Sequence, residues 1–372
     1  MYSTPTYTGP ARLKKIVCGG NHTILVRDDG VCFGCGDNAN GQLLDPSTYD
    51  GDDDDNILKG WHALNGVDNP FADIVCGWEF TVMVDHQNNV FSRGVGLKGE
   101  LGLGDDLLQS NTFRKVIGLE IARKAEVKLA SSFQNCAVLV NEKDVNGEYT
   151  SIVYGWGSNI KCQLFKPRVS KSVTKPVIIH SIKTRDYNKT IDYVCMGKDF
   201  MLFVNKEGRI TGTRGSIPKT FHWEEDWIDE KDLIVRCMWS SIHILQKRAT
   251  PEGYDKITSY GYGGFGQIFD MQGKLAHNMK VKDFNIGSEH GILVLDDDNK
   301  VACWGWGEHG NCGPPIAAEG TTSTSARTST TRGEPASMIN DAWPLNTVMP
   351  GFPTGCEVRV FGGCANTWVL VQ

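Results

Sequence analysis

The sequence predicts an all-β protein, a seven-bladed β-propeller whose last blade is incomplete. Three observations carry that expectation. One phrase recurs along the chain: a short apolar segment, a Gly-containing loop, an apolar strand, a polar turn, a second strand and a Gly-x-Gly loop. The copies number seven, and each has two clear strands with room for two more. The 372 residues include 42 Gly and 10 Trp, with 40% hydrophobic residues. That composition suits short strands and tight turns better than long helices.

The first copy reads VCGGNHTILVRDDGVCFGCGDNANGQL, from Val17 to Leu43. VCGWEFTVMVD follows at Val75, LASSFQNCAVLV at Leu129, VCMGKDFMLFVN at Val194 and RCMWSSIHIL at Arg236. NIGSEHGILVLDDDNKVACWGWGEHGNCG begins at Asn285, and a half-copy, VFGGCANTWVLV, begins at Val360. Taking Gly19 as anchor, the expected equivalents are Gly77, Ser131, Met196, Met238, Gly287 and Gly362. In the same frame Cys35, Val95, Trp156, Tyr262 and Trp306 share one position. The pair Cys32 and Cys35 therefore reads as strand packing, since a lone CxxC without a second ligand pair is a weak zinc or redox signal. His309 and Cys312 likewise lack a second pair at zinc spacing, so neither metal nor cofactor is expected.

One domain should span 1–372, interrupted by a Ser/Thr-rich low-complexity insertion at 317–337 that is too polar to order itself. The acidic run Asp50 to Asn56 reads as a solvated loop, because it lacks the ligand spacing and Gly of an EF-hand. FHWEEDWIDEKD, Phe221 to Asp232, is expected as a short helix or loop whose tryptophans cover a blade edge. The formal charge is −6 with scattered Lys and Arg, which argues against direct nucleic-acid binding. No apolar run approaches the roughly 18 residues that span a bilayer, and the N-terminal stretch lacks a signal-peptide core. Membrane association is not expected, and the thiols should be free in an intracellular protein.

Strand length fixes which loops share a face. A strand of about five residues crosses roughly 17 Å. The GGNH-type and DNANGQL-type loops therefore lie together, and the DDG-type turns lie opposite. The loop face should present Trp78, Glu79, Phe80, Phe133, Lys198, Asp199, Trp239, Ser240, Glu289, His290, Glu308 and His309 as partner-binding residues. Large aromatics beside charges are the composition of a binding hot spot, and Trp78, Phe80, Phe133 and Trp239 are the expected anchors. His22 and His290 admit two readings, a partner contact or a hydrogen bond to neighbouring backbone. Phe200 begins a strand and sits at the edge of the surface at best.

The repeats resemble those of the regulator of chromosome condensation family, with its GGxH[ST] loop, DG turn and GxNxxGQLG loop. Over VCGWEFTVMVD, VYGWGSNIKCQL, DYVCMGKDFMLFV, CMWSSIHI, GSEHGIL, CWGWGEHGNCGP and RVFGGCANTW the chain is similar to the fungal α-tubulin suppressor, or killer-toxin-insensitivity, branch. That resemblance implies a non-enzymatic partner of a small CSL-type zinc-binding diphthamide-biosynthesis protein. It also implies a role in diphthamide synthesis on elongation factor two and, through Elongator, in wobble-uridine modification of tRNA, with cytoplasmic placement and access to the nucleus. The family opens with a YAFGSNGQ-like strand that completes the last blade. MYSTPTYTGP stands there instead, which is why the last blade is expected to be short.

The alternative is guanine-nucleotide exchange on a Ran-like small GTPase. Against it stand the missing basic tail and the lack of an evident hairpin wedge on the loop face. Catalysis is not expected, since no Ser-His-Asp arrangement, P-loop or repeated carboxylate pair stands out.

Overall fold

The computed structural model describes residues 11–45, 56–64, 71–165, 167–168, 170–269, 278–296, 298–313, 342–349, 351–353 and 355–372. They form seven antiparallel sheets in chain order. The first holds β1 (Leu13–Cys18), β2 (His22–Arg27), β3 (Cys32–Asp37) and β4 (Ile57–Ala63), and the second β5 (Phe71–Cys76), β6 (Phe80–Asp85), β7 (Val90–Val95) and β8 (Gln109–Lys115). The third holds β9 (Glu126–Ser131), β10 (Asn135–Lys143), β11 (Tyr149–Ser158) and β12 (Ser172–Thr184). Three strands make the fourth, β13 (Ile191–Met196), β14 (Phe200–Asn205) and β15 (Ile210–Gly215), and three the fifth, β16 (Leu233–Cys237), β17 (Ser241–Gln246) and β18 (Lys256–Gly261). The sixth comprises β19 (Val281–Ile286), β20 (His290–Leu295), β21 (Val301–Trp306) and β22 (Ala342–Met349), and the seventh β23 (Val358–Gly362) and β24 (Thr367–Val371).

Second strands such as β6 (FTVMVD), β14 (FMLFVN) and β20 (HGILVL) are buried at every position. A strand covered on both faces reads as a continuous apolar run, which is what these sequences show. The outer strand β8 is exposed at five of its seven positions and carries polar residues there. Each sheet packs its faces on its neighbours in the chain. Val82 joins Val138 and Trp156 between the second and third sheets, and Leu202 joins Ile244 between the fourth and fifth. Leu13, Ile16 and Leu25 of the first sheet pack with Phe361 and Leu370 of the seventh. There Arg359 Nη1 donates to Lys14 O at 2.7 Å and Gln372 Nε2 to Leu13 O at 2.9 Å. The first strands of consecutive sheets touch in order, and β23 touches β1 as well as β19.

The repeat needs glycine at one position for a stated reason. Gly94 pairs with Phe80 at φ +101°, and an added Cβ would lie 2.3 Å from Glu79 O, the oxygen that accepts Val95 N–H. Gly157 and Gly305 repeat the arrangement at φ +105° and +99° against Gln134 O and Glu289 O. The residue before this glycine ties its sheet to the preceding loop. Arg93 Nε donates to Gly41 O at 2.6 Å, Trp156 Nε1 to Glu100 O at 2.6 Å and Trp304 Nε1 to Gln267 O at 2.8 Å. This corrects the single slot expected above. Cys35 and Trp156 precede the glycine, whereas Val95, Tyr262 and Trp306 follow it.

Cys32 and Cys35 are buried in the first sheet, and burial pushes both thiols up to about 12. None of the twelve cysteines is in a disulfide. Between the fourth and fifth sheets a helical turn, α1 (Trp223–Asp226), stands where other sheets carry a fourth strand. Phe221 and Trp227 flank it and are buried, with Trp227 Nε1 donating to Tyr260 Oη at 3.1 Å. Residues 1–10, the insertion 317–337 and all of the acidic run except Asn56 lie outside the described residues.

Replacing Gly94 with Ala should destabilise the fold by about 3 kcal/mol, read as a lower urea midpoint at unchanged slope. Gly147→Ala, at a turn where φ is +83° but no atom lies within 4 Å of the added Cβ, should cost less. Equal losses at the two sites would show that the close approach to Glu79 O contributes nothing.

Candidate partner-binding site

Loop hydrogen bonds define the repeat register. The N–H groups of Gly19, Gly77, Ser132, Gly197, Gly287 and Gly363 each donate to the carbonyl three residues on, at 2.7–3.0 Å. The anchors of the third, fourth and seventh units are therefore Ser132, Gly197 and Gly363, one residue later than the sequence alignment placed them. The residue before each anchor faces the axis, where Cys18, Cys76, Met196 and Cys237 line a cavity of about 140 Å³. Burial raises the Cys18 thiol to about 12 and raises Cys76 as well, so these sulfurs stay protonated. Among the described residues no group of three or more His, Cys, Asp or Glu is arranged to hold a metal ion.

In the corrected register the residue after the anchor is Gly20, Trp78, Phe133, Lys198, Trp239, Ser288 or Cys364. Its backbone reaches the next sheet. Gly20 N–H donates to Trp78 O at 3.0 Å, Trp78 to Phe133 O at 3.2 Å, Lys198 to Trp239 O at 3.0 Å and Trp239 to Ser288 O at 2.8 Å. Side chains at this position therefore converge at the mouth of the axis. Trp78 and Phe133 lie with centroids 4.9 Å apart, Phe133 and Trp239 at 5.3 Å, and Trp78 and Trp239 at 5.7 Å. Lys198 Nζ stands 4.5 Å from the Phe133 centroid and 5.5 Å from that of Trp239, a cation–π geometry. The Trp78 indole lies over Gly20, where an added Cβ would come within 2.9 Å of the ring.

Four of the twelve residues expected at the surface thus form one cluster: Trp78, Phe133 and Trp239, half-buried, and Lys198, exposed. Glu79 and Asp199 are half-buried beside them. Ser240 Oγ donates to Glu289 Oε2 at 2.7 Å and Gln267 Nε2 to the same oxygen at 3.3 Å. Burial nonetheless raises the Glu289 pKa, because these two donors do not offset the lost hydration. Glu289, Trp239, Lys198 and Asp199 line a groove of about 610 Å³ with Lys219 and Tyr262. Glu308 and His309 are exposed, and His309 stands edge-on to Trp306 at 5.2 Å. Tyr262, Phe265 and Trp306 extend an aromatic row toward them, with centroid spacings of 5.7 and 5.9 Å. Sequence reasoning missed this row because Tyr262 and Trp306 had been assigned to a strand slot.

Two expected contacts are corrected. Phe80 is buried, its ring beneath Gly77, where an added Cβ would overlap it. His290 is buried too, and with His22 it occupies the position three residues after the anchor, the same position as Phe80. These residues start the second strand and point inward. Thr81 Oγ1 donates to Gln42 O at 2.8 Å, which leaves its oxygen to accept from His22 Nε2 at 3.3 Å. Thr367 Oγ1 donates to Asn311 O at 2.7 Å and lies 3.0 Å from His290 Nε2. Both histidines therefore join neighbouring sheets, and burial lowers each pKa to about 4.

Residues 13–42 match the family model described as regulator of chromosome condensation (RCC1) repeat. An RCC1 repeat-containing protein of Schizosaccharomyces pombe is 25% identical over 327 residues, covering 84% of this chain and 83% of its own length. The secretion-regulating guanine nucleotide exchange factor of Mus musculus is 23% identical over 348 residues, covering 81% of this chain and 68% of its own. Together these support the regulator of chromosome condensation superfamily. Prp20p from Saccharomyces cerevisiae, a solved structure described with binding to Gsp1p and histones, superposes with a TM-score of 0.63 at 15% identity. That superposition covers 96% of this chain and 82% of Prp20p. The likeness shows a shared fold, the RCC1-type propeller built of small sheets.

The histidine geometry predicts a pH dependence. Both folded pKa values lie below the unfolded value of roughly 6.5, so the unfolded chain binds more protons in this range. Their contribution is complete above pH 6.5 and is lost as pH falls through about 4. Asn135 and Asn366 fill the same repeat position in two other units. A His22→Asn, His290→Asn double variant should therefore fold and lose less stability than the wild type between pH 6.5 and 4, measured by urea unfolding. Parallel curves would assign the acid sensitivity elsewhere.

Proposed function

We propose that this protein is a non-enzymatic scaffold that binds another protein on its loop face, its seven sheets acting as the seven blades of one ring. The observation that carries this reading is the cluster of Trp78, Phe133 and Trp239 with Lys198 above it. Three large rings stand at a position where other units carry Gly20 or Ser288, half-buried on the loops rather than within a strand. Such an aromatic centre with a charged rim is the make-up of an interaction hot spot. Glu79, Asp199, Glu308 and His309 supply the rim, and the groove beside Trp239 gives a partner side chain somewhere to enter.

The partner we assign is a small CSL-type zinc-binding diphthamide-biosynthesis protein, on the strength of the family-specific phrases in the sequence. Through it the protein would support diphthamide synthesis on elongation factor two and Elongator-dependent tRNA wobble-uridine modification, in the cytoplasm with access to the nucleus. A second reading, nucleotide exchange on a small GTPase, is favoured by the name of the Mus musculus relative. An exchange factor must bind the nucleotide-free GTPase more tightly than the loaded form.

Calorimetric titration with the zinc-loaded CSL-type protein should give a 1:1 complex. Trp239→Ala and Trp78→Ala should each weaken it by about 2 kcal/mol or more while the melting temperature shows a folded protein. Full affinity in both variants would remove the loop-face cluster from the interface. Absence of binding by the wild type, together with accelerated nucleotide release from a Ran-like GTPase, would establish the second reading instead.

A further inference from the structure

The face opposite the aromatic cluster carries a different site. Between the fifth and sixth sheets, Arg248, Lys280 and Lys282 rim a cavity of about 420 Å³. Its organiser is Asp255, which is buried. The Asp255 carboxylate accepts from Lys247 Nζ at 2.8 Å, Arg248 N at 2.8 Å and Val281 N at 2.7 Å. These bonds join the turn after β17 to the start of β19. They also hold Arg248 at φ +52°, a left-handed conformation that costs energy in any residue but glycine. Val281 points into the core, so alternation turns Lys280 and Lys282 outward on either side of it, and both are exposed.

The charges here are not balanced. Asp255 is matched by Lys247. Lys282 Nζ donates to the neutral Asn299 Oδ1 at 2.6 Å. Asp296 lines the cavity, yet among the described residues it makes no ion pair within 4.0 Å of Arg248, Lys280 or Lys282. Lysines on the turn side of the third and fourth sheets show the contrast. Lys128 pairs with Asp192 at 2.5 Å, and Lys206 pairs with Glu126 at 2.9 Å. Among the described residues, four cations (Lys247, Arg248, Lys280, Lys282) face two carboxylates (Asp255, Asp296) around this concavity, and that net positive lining, in a chain of formal charge −6, raises the local potential for an anion.

We propose that this cavity binds a phosphomonoester. The Arg248 guanidinium presents a planar fork suited to two phosphate oxygens, and Lys280 and Lys282 add point charges from the adjacent strand. A nucleic-acid backbone needs a stripe of cations along its length; this site is a single concavity, which suits one phosphate group on a small molecule or a modified side chain.

The test is calorimetry on the full chain at low salt with O-phosphoserine, with a phosphoserine hexapeptide and its unphosphorylated form, and with an RNA oligonucleotide. Phosphoserine should bind 1:1 and more weakly as salt rises. Arg248→Gln and Lys280→Gln should each cut affinity about tenfold, the loss expected for one charge-assisted contact. Asp296→Asn should tighten binding, a gain that a purely structural role would not produce. If the hexapeptide binds tighter than phosphoserine, the natural ligand is a phosphorylated segment; equal affinity points to a free phosphomonoester. No binding, affinity that ignores all three substitutions, or RNA that outcompetes the phosphopeptide would overturn the proposal.

Discussion

The short loop between the first and second strand of each unit, three residues in six units and four in the seventh, sets the geometry of everything around the axis. Its first N–H closes back onto the second strand, and in several units its next N–H reaches the carbonyl of the neighbouring sheet, as from Trp78 to Phe133 O and from Trp239 to Ser288 O. A backbone N–H buried between sheets must find an acceptor. Once that acceptor belongs to the next sheet, the residue's side chain is carried to the mouth of the axis. The aromatic cluster is a consequence of this constraint, because rings placed in units two, three and five cannot avoid one another.

The same economy explains the small residues. Gly20 sits under the Trp78 indole, and Gly94 lets Glu79 O receive the third strand. The buried histidines are part of it as well. A neutral imidazole at the start of the second strand donates across the sheet interface to Thr81 or Thr367, whose hydroxyl hydrogen is already spent on a carbonyl. Apolar packing between sheets supplies the bulk of the burial, while these polar contacts select the register in which the sheets meet.

The two faces then diverge in chemistry. On the loop side, rings and a lysine sit over a narrow cavity where burial keeps the Cys18 and Cys76 thiols protonated. On the turn side, some charges are matched locally, as Lys206 is by Glu126. Arg248, Lys280 and Lys282 outnumber the carboxylates described around them, because Asp255 is engaged by Lys247 and two backbone N–H groups and leaves Asp296 as the other acid in the lining.

Local pattern was enough to read the strands, the turns between them and the recurrence of the unit, since burial on both faces writes apolar runs such as FMLFVN directly into the sequence. It was also enough to single out Trp78 and Trp239, because large residues stood where other copies carry Gly20 or Ser288, and to place Phe133 and Lys198 on the same loop face. What it could not resolve was a one-residue register. Ser131 and Ser132, or Met196 and Gly197, are equally plausible anchors until a hydrogen bond chooses between them. That choice moved Phe133 and Lys198 from the second loop position to the first, into line with Trp78 and Trp239. Side chains alternate with every residue, so a shift of one reverses their direction. The bond that closes each loop marks the anchor, and only the reach of the following N–H to the next sheet, as from Lys198 to Trp239 O, brings these side chains together.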